Sequence, residues 1–405
     1  MKKFTKLTSL VLALIMTVSL FAACGKASAD TDDTEAAQGG VDVTQADEGG
    51  DQEAAKAEYD AMTAEDLVKK YVADPKAITV QEYANLLSTY AFVATTDEYE
   101  FESGNKTDEA LKLIKDAGGE LPRPHNDELY PIMLANPNEY VRSYFYRLFS
   151  SFTGDKDSAI FKALLDSFKK EGTNPFVINS MIYGLSRTLG EDKEFCDFLM
   201  EHAKSEDAVI RKTVSSRVNY FNGPDHDAYV QTILALFKDA DENIRNNAMK
   251  NCWPYEDDAF VQPLSAVLAD DAQINSHGAA AESLIRMWYG HHSEAAYKAT
   301  LEFFKRECAD PKYPNWTSVN MLATKCGGYD KWLEGAAYFD AAEVVEIMKQ
   351  LVGDAEAQKL VKTSAVKVVG LFGTADDLNA LKPLVEDSPD KNDIIKEIDK
   401  QLEKK

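Results

Sequence analysis

The sequence contains few of the residues that build redox, metal and hydrolytic sites. Five cysteines and six histidines are spread over 405 residues, and no two cysteines stand at the C-x-x-C spacing of a redox or zinc motif. The chain also lacks the H-E-x-x-H, G-x-S-x-G and glycine-rich phosphate-binding motifs. These absences argue against the common metalloprotease, hydrolase and nucleotide-binding classes. We therefore predict a protein that is not an enzyme, needs no cofactor and holds no metal.

Positive charge is also scarce. The chain has 44 lysines and arginines against 68 acids, a formal net charge of −24. Because neutralising a phosphate backbone requires a basic face, this balance argues against a nucleic-acid partner and favours a basic one. Apolar residues make up 45% of the chain and aromatic residues 10%, which is enough to bury a sizeable core.

The N-terminus has the three parts of an export signal. Lys2 and Lys3 precede an uncharged apolar run at 7–23, and small residues end the run before Cys24. A retained transmembrane helix is the alternative, but a run of about 17 residues is at the short end for crossing a bilayer. We therefore predict a signal peptide over 1–23.

This motif resembles the bacterial lipoprotein signal. The resemblance implies cleavage between Ala23 and Cys24, and attachment of a lipid with palmitate-type acyl chains at Cys24. It also implies a location on the bacterial cell membrane, facing the extracytoplasmic side, because two or more acyl chains anchor a protein stably.

The next segment is acidic and lacks aromatic residues. Residues 24–53 contain nine acids against one basic residue, Lys26. Such a composition cannot bury enough apolar surface to offset the entropy of ordering. We predict a disordered tether over 24–57 and a folded body that begins at residue 58.

Helical periodicity dominates the body. Thr63 with Asp66, and Thr79 with Glu82, have the spacing of a helix-capping box, and each pair precedes an apolar stretch. No run of alternating residues with hairpin turns indicates paired strands. We predict an all-α fold.

A turn followed by a helix start recurs along the body. Each copy carries an acid or asparagine and then a β-branched marker residue, which an arginine follows at three copies. The markers stand 37, 32, 34 and 30 residues apart, and they are Val141, Ile178, Ile210, Ile244 and Ile274. Such periods are typical of arrays of helical hairpins.

Apolar residues of each predicted second helix fall on one face. The three clearest stripes are Val141-Phe145-Phe149, Ile178-Ile182-Leu185 and Ile210-Val214-Val218. A hairpin can bury such a stripe only against its neighbours, so we expect one continuous core.

Prolines recur at one position of the predicted first helices. Pro131, Pro263 and Pro383 each lie 10 or 11 residues before a β-branched marker of the second helix. Proline inside a helix removes a hydrogen bond and bends the axis. We therefore expect these first helices to share a kink.

These features resemble the HEAT-repeat family of α-solenoids, including its bacterial HEAT-like branch. The matching features are the prolines, the acid or asparagine that opens each second helix, and the arginine after the marker. The resemblance implies an α-solenoid of HEAT-like helical hairpins over 126–405. Residues 58–125 lack the marker, and we predict that they form a helical N-terminal cap.

In that family the arginine after the marker pairs with an acid near the turn between helices. The resemblance implies this role for Arg142, Arg211 and Arg245, with an aspartate at the helix start or an acid of a neighbouring repeat as the partner. Asn179 and Asn275 replace the arginine in two copies, so we expect an interrupted ionic ladder.

In HEAT arrays the second helices line the concave surface, which is the expected contact surface for a partner. The side chains two to seven positions after each marker are mainly polar and suit an extended peptide or a protein surface. His277 belongs to this set, or it is a satisfied buried histidine. The predicted contact set is Tyr144, Arg147, Thr213, Arg217, Asn247, Asn251 and His277.

Histidine and cysteine pairs are the remaining candidates for chemistry. His291 and Glu294 form the best metal pair, but no third ligand is identifiable, so a solvated helix start is favoured. The two cysteines nearest in sequence are predicted at opposite ends of one hairpin, about 15 Å apart along the helix, too far for a disulfide. Four free thiols are predicted, at Cys196, Cys252, Cys308 and Cys326.

These patterns predict a lipid-anchored extracytoplasmic scaffold that binds a protein or peptide partner without catalysis. A solute- or metal-binding lipoprotein that serves a transporter is the alternative, although such proteins usually contain strands in an α/β fold. An enzyme similar to the HEAT-like bilin lyases is a third hypothesis, and only the fold resemblance supports it.

Overall fold

The computed structural model describes residues 68–69, 72–73, 79–90, 98–101, 106–255, 258–309, 316–325 and 336–405. All of these residues belong to one structural unit, Gly50–Lys405. The predicted signal peptide with Cys24, the tether over 24–57 and the capping pair Thr63–Asp66 lie outside the described residues.

The described residues form 18 α-helices and no β-strand, which confirms the all-α prediction. In chain order the helices are α1 (Val80–Tyr90), α2 (Lys106–Asp116), α3 (Leu129–Leu134), α4 (Glu139–Arg147), α5 (Ala159–Phe168), α6 (Pro175–Leu189), α7 (Lys193–His202), α8 (Ala208–Ser215), α9 (His226–Leu236), α10 (Glu242–Asn251), α11 (Val261–Ala269), α12 (Ile274–His291), α13 (Glu294–Ala309), α14 (Trp316–Lys325), α15 (Ala341–Gly353), α16 (Lys359–Phe372), α17 (Ala375–Leu381) and α18 (Lys391–Leu402).

Side chains cap the predicted second helices as the sequence indicates. The oxygen of Asn138 accepts from the backbone N–H two residues on, at 2.8 Å, and Asn174, Asp207 and Asp241 make the same bond at 2.9, 2.8 and 2.7 Å. Each bond satisfies an N–H that has no partner inside the helix. The recurring polar residue before the marker therefore sets where α4, α6, α8 and α10 begin, whereas α12 begins without a side-chain cap.

The helices form two series. The even-numbered helices from α4 to α18 are the predicted second helices, and each packs against the next helix of that series. Among the first helices, α11, α13, α15 and α17 also pack on one another in order. The main contacts therefore join helices that are close in sequence.

The predicted apolar stripes of the second helices form the core. Val141, Ile178 and Ile210 are at most 8% exposed, and the other members of the three stripes are fully buried. Burying one such side chain stabilises the fold by about 1.5–3 kcal/mol. The stripe prediction is confirmed for these three helices.

The prolines occupy different places from those predicted. Pro131 and Pro263 are the third residues of α3 and α11, so they lie in the first helical turn, where an N–H has no intrahelical partner to lose. Pro383 follows α17 and opens a short 3-10 turn, Pro383–Val385. The expectation of a shared kink inside the first helices is wrong, because these prolines stand at helix ends.

Candidate peptide-binding face

A short non-helical segment, Glu98–Phe101, lies against the second helices α4 and α6. The carbonyl oxygen of Tyr99 accepts hydrogen bonds from Arg147 Nη2 and from Asn179 Nδ2, the latter at 3.5 Å. The Tyr99 hydroxyl donates to Asp207 Oδ2, at the start of α8, over 2.6 Å. This covering segment, as we call Glu98–Phe101, therefore touches three successive second helices.

The ring of Phe101 fills an aromatic site on the same surface. It meets the rings of Tyr144 and Phe176 edge to face, with centroids 5.1 and 5.0 Å apart. The guanidinium carbon of Arg147 lies 5.0 Å from the centroid of the Phe101 ring. Edge-to-face pairs and a cation over a ring each add about 0.5–1.5 kcal/mol to the burial of the ring.

Tyr99 adopts an unusual backbone conformation. Its φ is +51°, in the left-handed region that residues other than glycine seldom enter. Holding such a residue there costs about 1–3 kcal/mol, which the surrounding contacts must offset. The hydrogen bonds to Arg147, Asn179 and Asp207 supply that compensation.

Arg147 is the centre of this arrangement. Besides its bond to Tyr99, its Nε donates to Ser180 Oγ at 3.0 Å. Burial lowers the pKa of Arg147 to about 10, which leaves the guanidinium charged at neutral pH. A buried cation surrounded by ring faces and carbonyl oxygens attracts both main-chain oxygens and carboxylates.

The arrangement continues past the covering segment. Tyr183 on α6 lies between two arginines, with the guanidinium carbon of Arg147 5.6 Å and that of Arg217 4.2 Å from its ring centroid. Arg217 is only partly exposed, and its buried Nε has no hydrogen-bond partner among the described residues. An unpaired buried donor is costly, so this position favours an added acceptor.

The other predicted contact residues have local roles. Thr213 Oγ1 donates to the carbonyl oxygen of Val209 at 3.1 Å, and Asn251 Nδ2 donates to that of Asn247 at 2.8 Å. Thr213, Asn247 and Asn251 are partly exposed, while His277 is 3% exposed and lies 3.0 Å from the carbonyl oxygen of Asp270.

The structure thus brings some predicted residues together and leaves others apart. Arg147 and Arg217 share the ring of Tyr183, and Tyr144 lies beneath the covering segment with its hydroxyl donating to Asp108 at 3.1 Å. We use the name second-helix face for the surface made by Tyr144, Arg147, Asn179, Ser180, Tyr183, Thr213, Arg217, Asn247 and Asn251.

Sequence reasoning missed the residues that contact this face from outside it. The segment Glu98-Tyr99-Glu100-Phe101 alternates acids and aromatics between two helical stretches. Strict alternation is a signal of extended chain, which would have indicated a segment able to lie across helices. Phe176, Ser180 and Tyr183 were missed because the marker-based register counted mainly polar positions.

A second arginine–aromatic group lies at the ends of α10 and α12. The guanidinium carbon of Arg286 lies 5.3 Å from the centroid of the Trp253 ring, and the ring of His291 stacks on Trp253 at 6.0 Å. Arg286 also pairs with Glu282 at 2.7 Å. Arg286 therefore contacts an aromatic ring as Arg217 contacts Tyr183, but Arg286 is also paired with an acid, Glu282.

Acids and lysines together line grooves beside the first helix α7. Glu194, Asp197 and Glu201 of α7 border one or both of two grooves of about 410 and 650 Å³, with Lys169 at the first and Lys204 at the second. The residues that define the second-helix face, in contrast, include two arginines and no acid.

Two arginines of the predicted ladder bind the next repeat. Arg142 holds Glu171 through Nε and Nη2, both at 2.7 Å, and Arg211 holds Asp239 at 2.7 and 3.3 Å. Arg211 lowers the pKa of Asp239 below its ordinary value through this hydrogen bond. The partner is thus an acid in the turn of the following repeat, one of the options left open by the sequence.

The third arginine of the predicted ladder, Arg245, bonds to carbonyl oxygens. Arg245 Nη1 donates to the carbonyl oxygens of Asp239 and Ala240 at 2.8 and 2.9 Å, which lie in the turn before its own helix. Arg142 and Arg211 make the same pair of bonds in addition to their ion pairs. The carbonyl bonds are therefore the common feature of the position.

The predicted metal and thiol residues have other partners. His291 Nε2 lies 2.7 Å from the Trp253 carbonyl oxygen, and Glu294 pairs with Lys298 at 2.6 Å. In the described ranges no three histidine, cysteine or acidic side chains lie close enough to hold a metal ion. Cys196 and Cys252 are buried free thiols, whereas the side chain of Cys308 and the whole of Cys326 lie outside the description.

Comparisons with known proteins identify no relative. No protein-family model matches the chain, and no curated protein matches it. Within the described residues, every helix is too short or too polar to cross a membrane.

Proposed function

We propose that this protein is a lipid-anchored extracytoplasmic scaffold that binds a protein or peptide partner without catalysis. The partner is bound by the second-helix face of a HEAT-like α-solenoid. The lipid is attached at Cys24 of the bacterial lipoprotein signal, and the tether over 24–57 links it to the folded body.

The order of helix contacts supports the solenoid. Each second helix from α4 to α18 packs on the next, and the main contacts join helices close in sequence. Repeat arrays are built in this way, because each hairpin buries its apolar stripe only against its neighbours. The bonds from Arg142 and Arg211 to the following turn support the HEAT-like character of the repeat.

The observation that carries the binding function is the covering segment. This face binds a short non-helical stretch of its own polypeptide through a main-chain carbonyl, an aromatic ring and a hydroxyl. A surface that holds its own chain in this way has the chemistry to hold another. Extended peptides bind folded domains by the same combination of main-chain bonds and side-chain sites.

Site-specific photo-crosslinking tests the binding face. We expect a photoreactive residue at Asn247, on the second-helix face, to capture a discrete partner in intact cells that make the full chain. Gln231 is exposed on the first helix α9 and provides the matched control. Capture from Gln231 and none from Asn247 would refute the assignment of the face.

The anchor is tested separately. Cys24→Ser should abolish labelling by radioactive palmitate and move the protein from the membrane fraction to the soluble extracytoplasmic fraction. Unchanged labelling in this variant would contradict a lipid at Cys24, whatever the result at the binding face.

A further inference from the structure

We propose that the partner segment is a non-helical acidic–aromatic peptide, and that it enters the place now held by the covering segment Glu98–Phe101. This inference rests on the proposed function, since it names the chemistry of the partner that the second-helix face takes. The covering segment is then a built-in occupant that a partner of the same chemistry displaces.

The aromatic part of the proposal follows from the site of Phe101. The rings of Tyr144 and Phe176 stand nearly perpendicular to that of Phe101 and Arg147 adds its guanidinium, so a flat ring gains from three neighbours. An aliphatic side chain would fill the space but would lose the contact between cation and ring. The site therefore selects an aromatic side chain.

The non-helical conformation follows from the main-chain contacts. Arg147 and Asn179 both donate to the carbonyl oxygen of Tyr99. Residues inside a helix use their carbonyl oxygens for the helix itself, so a helical ligand could not accept these bonds. Carbonyl recognition of this kind does not read the side chain and fits any segment with a free carbonyl oxygen at this place.

The acidic part follows from local charge. Arg147 lies at the aromatic site, and Arg217 shares the ring of Tyr183 with it. The chain itself places Glu98 and Glu100 beside the two aromatics that it presents to this surface. Local charge acts over roughly 8 Å in physiological salt, so it outweighs the net charge of the chain in choosing a partner.

Arg217 offers an incoming peptide a charged hydrogen-bond donor that the covering segment does not use. Its buried Nε has no hydrogen-bond partner among the described residues, although its guanidinium carbon lies 4.2 Å from the ring centroid of Tyr183. A carboxylate of the partner beside Tyr183 would pair with the partly exposed guanidinium of Arg217 and offset the cost of that unpaired nitrogen. A charge-assisted bond of that kind is stronger than one between neutral groups.

The backbone of Tyr99 makes displacement favourable. Its left-handed φ of +51° is a strained conformation, which an unconnected peptide would not have to adopt. When an occupant holds a site in about 99% of molecules, the apparent affinity of a competitor falls about 100-fold. Weakening the covering segment should therefore raise the affinity for an added peptide.

The test uses a synthetic, fluorescently labelled peptide with the sequence of residues 97–103 and the full-length protein. Fluorescence anisotropy should show weak binding to the unmodified protein. Tyr99→Phe removes only the hydroxyl bond to Asp207 and should tighten binding about tenfold. The double variant Tyr99→Ala/Phe101→Ala empties both positions and should tighten binding about 100-fold.

Two controls separate the specific site from general attraction of charge. A peptide with alanine in place of its tyrosine and phenylalanine keeps the same acids and should bind at least tenfold more weakly to the double variant. Arg217→Ala, added to the double variant, should weaken binding of the original peptide about tenfold because the extra donor is lost. Circular dichroism and thermal melting establish that each variant is folded, and Tyr99→Phe decides the matter if the double variant is not.

The outcomes are distinct. Equal affinity for the unmodified protein, Tyr99→Phe and the double variant would overturn the proposal, and so would equal binding of the alanine peptide. If the peptide result is negative while Asn247 still captures a partner in cells, the scaffold function stands and only the partner chemistry is wrong. If the peptide result is negative and Asn247 also captures no partner, the proposed function is refuted as well.

Discussion

The second-helix face differs between its two ends. Over α4 and α6 the covering segment lies on it, and Tyr144 beneath is 7% exposed. Over α8 and α10 the equivalent register positions Thr213 and Asn247 are partly exposed. The helices of both ends begin with the same side-chain caps and pack in the same order, so the repeat alone does not set the exposure. The covering segment and α2, whose Asp108 accepts from Tyr144, both contact the buried end.

We expect the largest loss of stability at the ion pair between Arg142 and Glu171, which joins two repeats at the covered end of the face. Glu171 is 2% exposed in its side chain, and it accepts from Arg142 and from the hydroxyl of Tyr146. Glu171→Ala leaves both donors without their acceptor and should cost about 3–5 kcal/mol of stability. Urea unfolding measures the loss. Asp197→Ala, in the exposed pair with Lys193, is the control and should change stability by about 0.5 kcal/mol or less.

If Glu171→Ala lowered the free energy of unfolding no more than Asp197→Ala does, Arg142 would not be what fixes the covered repeats to one another. Hydrogen exchange adds a local measure, because repeat arrays need not unfold in one step. We expect Glu171→Ala to speed amide exchange in α4 and α6 more than in α16.

The next effect is expected where α4 and α6 approach most closely. A Cβ atom on Gly184 would lie 2.1 Å from the carbonyl oxygen of Tyr146 and 2.9 Å from the Cα of Arg147. Both are backbone atoms, so the clash can be relieved only if a helix moves. Gly184→Ala should cost about 3 kcal/mol and loosen the covering segment, since Arg147 moves with α4. Thermal melting measures the loss of stability, and binding of the labelled 97–103 peptide measures the loosening of the covering segment.

Tolerance of alanine at this position, with an unchanged melting temperature, would mean that the two helices are held less closely than described. The site of Phe101 would then be less well formed, and peptide binding to the variant would not change. The two measurements therefore decide the point together.

The second helices themselves were predictable from sequence because their signals are local. An acid or asparagine before the marker determines the start of the helix, and apolar residues at i, i+4 and i+7 or i+8 determine its buried face. Asn138 with Val141, for instance, stand three residues apart and act within one turn. Each such signal is readable without knowledge of the rest of the fold.

The covering segment was not predictable in this way. Tyr99 contacts Arg147, Asn179 and Asp207, which lie 48, 80 and 108 residues further along the chain. Nothing in the local sequence states which helices an extended segment will meet. The proline prediction was wrong for a different reason: Pro131 and Pro263 are tolerated without a kink because they lie in the first turn of their helices, and the spacing to the marker does not say whether a proline lies in the first turn or further inside.

An acid-dependent effect is expected at the second rung of the ladder. Arg211 holds the pKa of Asp239 below its ordinary value, so the carboxylate binds a proton less readily when the protein is folded. The stability from this pair is complete above the unfolded pKa of about 3.9 and is lost as the pH falls through the folded pKa. Asp239→Asn should therefore cost about 1–2 kcal/mol at pH 7 and progressively less below pH 4.

Melting temperatures at pH 7 and pH 3 measure this difference. A deficit of the same size at both values would show that the pair does not act through the charge of Asp239. Arg245 bonds to carbonyl oxygens and acts on the pKa of Asp239 only through a smaller charge effect, so Arg245→Ala should show a weaker dependence on acid than Asp239→Asn.

The smallest effect, and a gain, is expected at Gly278 on α12. No atom of the described residues lies within 4 Å of a Cβ built there, and the position is partly exposed inside a helix. Alanine restricts the unfolded chain and favours the helix, so Gly278→Ala should stabilise the protein by about 0.5–1 kcal/mol. Gly184 and Gly278 are both glycines of second helices, and the opposite signs expected for them follow from what lies over each one. A loss of stability at Gly278, measured by thermal melting, would mean that α12, like α6, has a close neighbour over its glycine.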